Sequence, residues 1–229
     1  MKVIVNFSGG KDSTVATLEA IKHYPKRDII LCYQDTGAEY KGTREHVIQI
    51  ANTLELPLTI LEPKRNWFEQ VRHDGLPFTP ALRKCTWTLK VEIYRKWLSK
   101  FRRENGLRKD ELINVFGIRG EESISRSKLT EWGYDPHVGK VWRPCIYMRA
   151  QEVKDRVISE GLPLHYCYQF STRCNCWLCI FAKKCVIRSY IEANPDEWEK
   201  ACLLEDEIKK PLLGRHDKIS DIMKQGRLF

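Results

Sequence analysis

Apolar positions in this chain follow two periods in turn. Val3-Ile4-Val5, running into Asn6-Phe7, is short and β-branched, as in a strand buried on both faces. From Thr14 to Ile21 the apolar residues recur at helical spacing instead. A second strand follows over residues 28–34, then a helix with Val47, Ile50, Ala51 and Leu54 on one face, then a third strand, Leu58–Leu61, closed by Pro63. Strands and helices alternating at this spacing predict an α/β protein with a doubly wound parallel sheet, its ligands outside the carboxyl ends of the strands. The pattern loosens from Trp67 through Gly75, Pro77 and Pro80. It resumes as a helix from about Thr88 to Glu104, with Leu89, Ile93, Trp97 and Phe101 as its apolar stripe. A fourth strand is expected over 112–118, and helices near 151–160, 186–193, 196–209 and 216–225. No internal repeat or low-complexity segment interrupts the chain.

The turns between these elements carry the polar chemistry. Ser8-Gly9-Gly10-Lys11-Asp12-Ser13 joins the first strand to the first helix. Paired glycines let backbone N–H groups close around an anion, and the helix N-terminus adds its positive dipole end. Lys11 supplies a mobile charge, and Ser8 and Ser13 supply hydroxyls, so a polyphosphate is the natural guest. The spacing from glycines to lysine is not that of the ordinary P-loop. Asp12 is placed to help hold Mg²⁺ or else to cap the helix. Asp35-Thr36-Gly37 ends the second strand at the same sheet edge. Arg119-Gly120-Glu121-Glu122-Ser123 and Arg126 follow the fourth, where the arginines could clamp phosphate oxygens, with Glu122 holding one in place.

Composition narrows the class. A chain of 229 residues, 42% hydrophobic, can bury a sizeable core as one domain with a small appendage. No run of 18 apolar residues is present and no signal-peptide pattern precedes the first strand, so a cytoplasmic protein without a membrane span is expected. The net charge is +9, and residues 64–109 hold 13 Lys and Arg against 4 Asp and Glu, which accounts for all of it. In the helix from Thr88, Arg95, Lys96, Lys100, Arg102 and Arg103 face only Glu92 and Glu104. Such a region fits either a solvated face or a nucleic-acid phosphate track.

Nine cysteines in such a chain point to metal or redox chemistry rather than a disulfide framework. Cys176-Trp177-Leu178-Cys179, then Cys185, supplies three thiolates from one loop, and Cys85 is the first candidate for a fourth, with Cys174 and Cys167 as spares. Four thiolates suit a structural zinc or an iron–sulfur cluster, and spacing alone does not choose.

Taken together, these pieces resemble a known family. Ser8–Ser13 matches the S-G-G-x-D-S loop of the PP-loop ATP pyrophosphatases. In order follow Asp35-Thr36-Gly37, Cys85 with Lys90-Val91, Gly117-x-Arg119-x-x-Glu122-Ser123-x-x-Arg126, Arg143-Pro144, Gly161-Leu162-Pro163 and Cys176-x-x-Cys179. The set is similar to the phosphoadenosine phosphosulfate (PAPS) reductase-like branch of the adenine nucleotide α-hydrolase superfamily. That resemblance implies a Rossmann-like sheet, with a nucleotide-binding core over 1–140 and a Cys-rich segment with C-terminal helices over 141–229 packed on it as one domain. It implies ATP–Mg²⁺ bound by Ser8, Gly9, Gly10, Lys11, Asp12, Ser13, Asp35, Thr36, Gly37, Arg119 and Glu122, with Lys11, Asp12, Arg119 and Arg126 in catalysis.

Within the branch the chain keeps an intact glycine loop, has no cysteine after Cys202, and has a single cysteine at 85. Sulfonucleotide reductases usually have a degenerate loop, a tail cysteine and, when they carry iron–sulfur, a cysteine pair at that place. The C-x-x-C-x5-C arrangement looks instead like the DndC-type ATP pyrophosphatases of DNA phosphorothioation. That likeness implies a 4Fe–4S cluster on Cys85, Cys176, Cys179 and Cys185, a nucleic-acid acceptor met through 64–109, and a sulfur donor such as a cysteine desulfurase. The alternatives are a sulfonucleotide reductase and a non-catalytic nucleotide- and cluster-bearing subunit.

Overall fold

A computed structural model describes residues 1–80, 83–212 and 218–224. In chain order its elements are β1 (Lys2–Asn6), α1 (Lys11–His23), β2 (Ile29–Gln34), α2 (Thr43–Thr53), β3 (Leu58–Leu61), α3 (Trp67–Asp74), the single turn α4 (Lys84–Thr86), α5 (Glu92–Glu104), β4 (Leu112–Phe116), the short α6 (Ile124–Ser127), β5 (Trp132–Asp135), β6 (Gly139–Trp142), α7 (Ala150–Ser159), α8 (Lys184–Ala193), α9 (Pro195–Ile208) and α10 (Ile219–Lys224). The expected last helix, 216–225, starts and ends outside the described residues, as does the tail after Lys224. No helix among the described residues is long and apolar enough to cross a membrane.

The sheet runs β3-β2-β1-β4-β6-β5, parallel except for the edge strand β5. This is the doubly wound, Rossmann-like sheet that the alternation predicts. From β1 the chain winds outward through β2 to β3, then returns to place β4 on the other side of β1. The switch point therefore lies between β1 and β4, where a ligand crevice opens outside the strand ends. Alternation in β1 builds two cores: Val3, Val5 and Phe7 pack with α1, α2 and α7, whereas Ile4 packs with Tyr94 and Leu98 of α5. A third core joins α3, α8 and α9 around Trp67, Trp177 and Tyr190, and Trp177 N–H donates to the Ala38 carbonyl at 3.0 Å. The cysteine loop is thus pinned to the loop after β2.

Two local expectations need correction, and one element was not expected. The buried residues of the basic helix are Tyr94 and Leu98, not Ile93 and Trp97, which are half-buried. A π-helical turn over Trp87–Val91 inserts one extra residue, so the stripe advances by five from Leu89 to Tyr94 before resuming its step of four. The fourth strand stops at Phe116 rather than 118, because the next residue leaves the sheet to meet the glycine loop. The β5–β6 hairpin was not anticipated. Its strands are four residues each, Trp132 and Tyr134 are largely exposed, and the alternation Trp132-Gly133-Tyr134-Asp135 is too short to mark a strand.

Candidate functional site

The glycine loop sits at the switch point and is held by its own side chains. Ser13 Oγ donates to the Gly10 carbonyl at 2.9 Å and accepts from Ser8 N–H at 3.2 Å. Gly9 has φ +73°, which a glycine adopts without strain. Gly10 is the N-cap of α1 and Asp12 lies inside the first turn, so Asp12 is not the helix cap. Gly117 closes the crevice from β4: a Cβ there would lie 2.5 Å from the backbone of Asp12 and Ser13.

Charge in the loop is arranged in a chain. Lys11 Nζ is 3.1 Å from one Asp12 oxygen, and the other oxygen takes Arg119 Nε. Arg119 is 5% exposed and also bonds Glu121, so it braces Asp12 instead of standing free for phosphate. Arg126 bonds Glu122, and both line a cavity of about 840 Å³ together with Ser8, Gly10, Asp12 and Ser13. That volume lies in the range of ligand sites, about 300–1,000 Å³.

Asp35-Thr36-Gly37 is a braced turn beside the loop. Asp35 Oδ1 accepts from Gly37 N–H at 3.1 Å and Oδ2 from Arg44 at 3.1 Å. Burial raises the Asp35 carboxyl pKa. Thr36 gives its N–H and hydroxyl to Glu39. Neither Glu39 nor His46, whose Nε2 donates to the Gly9 carbonyl at 3.1 Å, stood out in the sequence. Tyr168 was equally hidden: its hydroxyl accepts Lys11 N–H at 2.8 Å and its ring lies under the ammonium, 5.3 Å away.

The cysteines divide into two groups. Cys85, Cys176 and Cys179 line one cavity of about 260 Å³. Cys176 donates to Cys179 and that bond brings the Cys179 thiol down to about 6, while burial pushes Cys85 up. Lys90 faces them. Burial disfavours its ammonium, but Glu39, 3.6 Å away, and the thiol groups outweigh this, and its pKa is raised. The three sulfurs do not close to within 4.8 Å of one another, but thiols that share a cavity beside a cation suit a soft, negatively charged centre such as a cluster or zinc. Cys185 opens α8 and is exposed, and it does not line this cavity.

Cys174 and Cys167, the spare ligands of the sequence reading, face the glycine loop instead. Cys174 Sγ reaches the Ser8 carbonyl at 3.7 Å, and a hydrogen bond from Cys167 holds its thiol down to about 6. The donor atoms of His165, Cys167 and Cys174 all lie within 4.8 Å of one another. Thr43 gives its hydroxyl proton to the Tyr40 carbonyl, so His165 Nε2 is the donor in the 2.9 Å bond to Thr43 Oγ1. His165 Nδ1 then accepts Cys167 N–H at 2.9 Å. Both ring nitrogens are engaged, and the group reads as a frame for the two thiols rather than an open ligand set. The large cavity, which Cys174 lines with the loop, and the Cys85 cavity adjoin through a shared wall that includes Cys179.

Sheet and crevice together define a class: a Rossmann-like α/β protein with a glycine anion loop at the switch point and thiols across from it. Within that class the chain belongs to the phosphoadenosine phosphosulfate reductase domain family, which matches residues 2–180. This is the family that the motifs indicated. Phosphoadenylyl-sulfate (PAPS) reductase from Candida auris, in a phosphate complex, has a similar fold, with a TM-score of 0.58 at 16% identity over 78% of this chain and 83% of its own. So does the U34-tRNA thiolase NcsA from Methanococcus maripaludis with its [4Fe-4S] cluster, at TM-score 0.51 and 16% identity over 95% and 74%. An uncharacterized protein of Methanocaldococcus jannaschii is 36% identical over 125 residues, 55% of this chain and 28% of its own length. The chain spans less than half the length of the curated relatives it matches.

Proposed function

We propose that the protein is an ATP pyrophosphatase that adenylates a nucleic-acid acceptor so that sulfur can replace the activated oxygen. The observation that carries this reading is the placement of the Ser8–Ser13 loop in one cavity with Cys174 and Cys179. In a reaction of this kind the acceptor oxygen attacks the α-phosphorus, the bond to the bridging oxygen breaks, and pyrophosphate leaves. Backbone N–H groups at Gly9 and Gly10 hold the β- and γ-phosphates, and Lys11 offsets the charge that builds on them. Asp12, oriented by Arg119, is the candidate partner for Mg²⁺, and Arg126 faces the nucleotide from the β4 side. Sulfur at the sulfide level then displaces AMP, a substitution that needs no outside oxidant or reductant.

Cys85, Cys176 and Cys179 would hold a 4Fe–4S cluster, with zinc as the alternative metal and Cys185 as a fourth ligand only if the start of α8 moves. A bound cluster would supply a soft centre able to handle sulfide. Protein purified without oxygen is expected to be brown and to contain iron with acid-labile sulfide, both lost in Cys179→Ser. Stoichiometric zinc without sulfide overturns the cluster. ATP with Mg²⁺, an acceptor and sulfide is expected to give AMP and pyrophosphate in equal amounts, and without sulfide pyrophosphate and adenylated acceptor. ADP and phosphate, or sulfite released from a sulfonucleotide, overturns the adenylation.

A further inference from the structure

The two cavities meet in one wall made of Arg83, Arg126, Asn175, Cys179 and Phe181. Phe181 is 55% exposed although it stands between a polar nucleotide-sized space and a thiol centre. The Arg83 guanidinium lies 5.4 Å from the centre of its ring, and Arg83 is held in the left-handed region with φ +44°, a strained conformation for arginine. A second such pair lies just past Cys85, where Trp87 is 51% exposed with Arg95 4.9 Å from its ring centre. Elsewhere in the basic third three lysines are paired with acids: Lys84 with Asp74, Lys96 with Glu92, Lys100 with Glu104. The rim of the large cavity adds Arg173 and Lys183.

We infer that the Arg83–Phe181 pair is a stacking platform for an unpaired nucleobase, so that the acceptor is a single-stranded nucleic-acid segment. This rests on the reading of nucleic acid as the acceptor. Exposed rings capped by guanidinium groups offer flat, positively charged faces, which bases accept and phosphates follow. A duplex keeps its bases stacked on one another and has no free face to lay against a wall between two cavities. Stacking there sets one nucleotide of the strand beside both the adenylation loop and the thiols. The excess positive charge of 64–109 would then follow the backbone of the strand beyond the stacked base.

The test uses the whole chain and fluorescence anisotropy with a short labelled strand, in RNA and in DNA, and with the blunt duplex of the same sequence. The single strand is expected to bind at least tenfold tighter than the duplex. Phe181→Ala is expected to weaken it roughly tenfold to a hundredfold. Phe181→Trp should retain binding, and Arg83→Lys should lose affinity while keeping the salt dependence, since the charge remains but the flat face does not. Phe181 is exposed, and unchanged melting curves would confirm that the variants fold. Equal binding of strand and duplex, unmoved by Phe181→Ala and displaced by heparin, overturns the platform and leaves a nucleic-acid acceptor standing. Failure to bind either form at low salt overturns both.

Discussion

Lys11 is held from three sides: by Asp12 at its ammonium, by the Tyr168 hydroxyl at its backbone N–H, and by the Tyr168 ring beneath. Its ammonium is therefore held in place against Asp12 and the Tyr168 ring. Lys11→Ala is expected to lower kcat by about 100- to 1,000-fold, the usual effect of removing one group that stabilises the transition state. Steady-state pyrophosphate release measures it. Lys11 and its neighbours were legible because six consecutive residues remain neighbours in space. Tyr168 was not, since it comes from 157 positions away and nothing local marks it. His46 makes a second prediction at this scale. Burial, with His165 nearby, lowers its pKa to about 4 in the folded protein. Between about pH 6.5 and pH 4 the unfolded chain binds the proton that the folded chain refuses, so stability falls as the pH drops through that window. Thermal melts should show this slope, and His46→Gln should flatten it.

Among the elements, β4 has a device that periodicity does not disclose. Asn114 is fully buried, accepts the Tyr94 hydroxyl of α5, and donates to the Val138 carbonyl at 2.8 Å and the Lys140 carbonyl at 3.2 Å. It fastens the helix and the β5–β6 hairpin to the centre of the sheet. Asn114→Val leaves those groups unpaired, and should cost about 1–3 kcal/mol for each that water does not reach. Urea unfolding monitored by fluorescence reads the loss, and an unchanged midpoint would show that the clamp does not hold the hairpin. The same lesson applies to α5. Its existence and length could be read from Leu89, Trp97 and Phe101, but the π-turn that rotates the stripe onto Tyr94 and Leu98 arises from packing, not from any residue that announces it. Strands β1 to β3 were legible to within a residue because they are apolar runs bounded by turn residues.

At the scale of the whole molecule, two facts of topology make the site. The winding order puts β1 next to β4, so that turns from residues 8–13 and 117–126 face each other. The third core then lays the 165–181 loop across the opening, bringing Cys174 and Cys179 to the large cavity and Cys176 beside Cys85 in the adjoining one. The first follows from alternating strands and helices. The second depends on Trp177 and Tyr190 packing against residues far away in sequence, so the division of the cysteines into Cys85/Cys176/Cys179 and Cys167/Cys174 could not be read from their spacing. In the proposed reaction the glycine loop activates the acceptor and the thiols serve the sulfur step that follows. Pyrophosphate release and sulfur incorporation, measured together on ATP, sulfide and a single-stranded acceptor, test it most directly. The wild type is predicted to do both, Lys11→Ala neither, and Cys179→Ser to release pyrophosphate without fixing sulfur. Sulfur incorporation that survives Lys11→Ala, or pyrophosphate release that fails in Cys179→Ser with the fold intact, would contradict it.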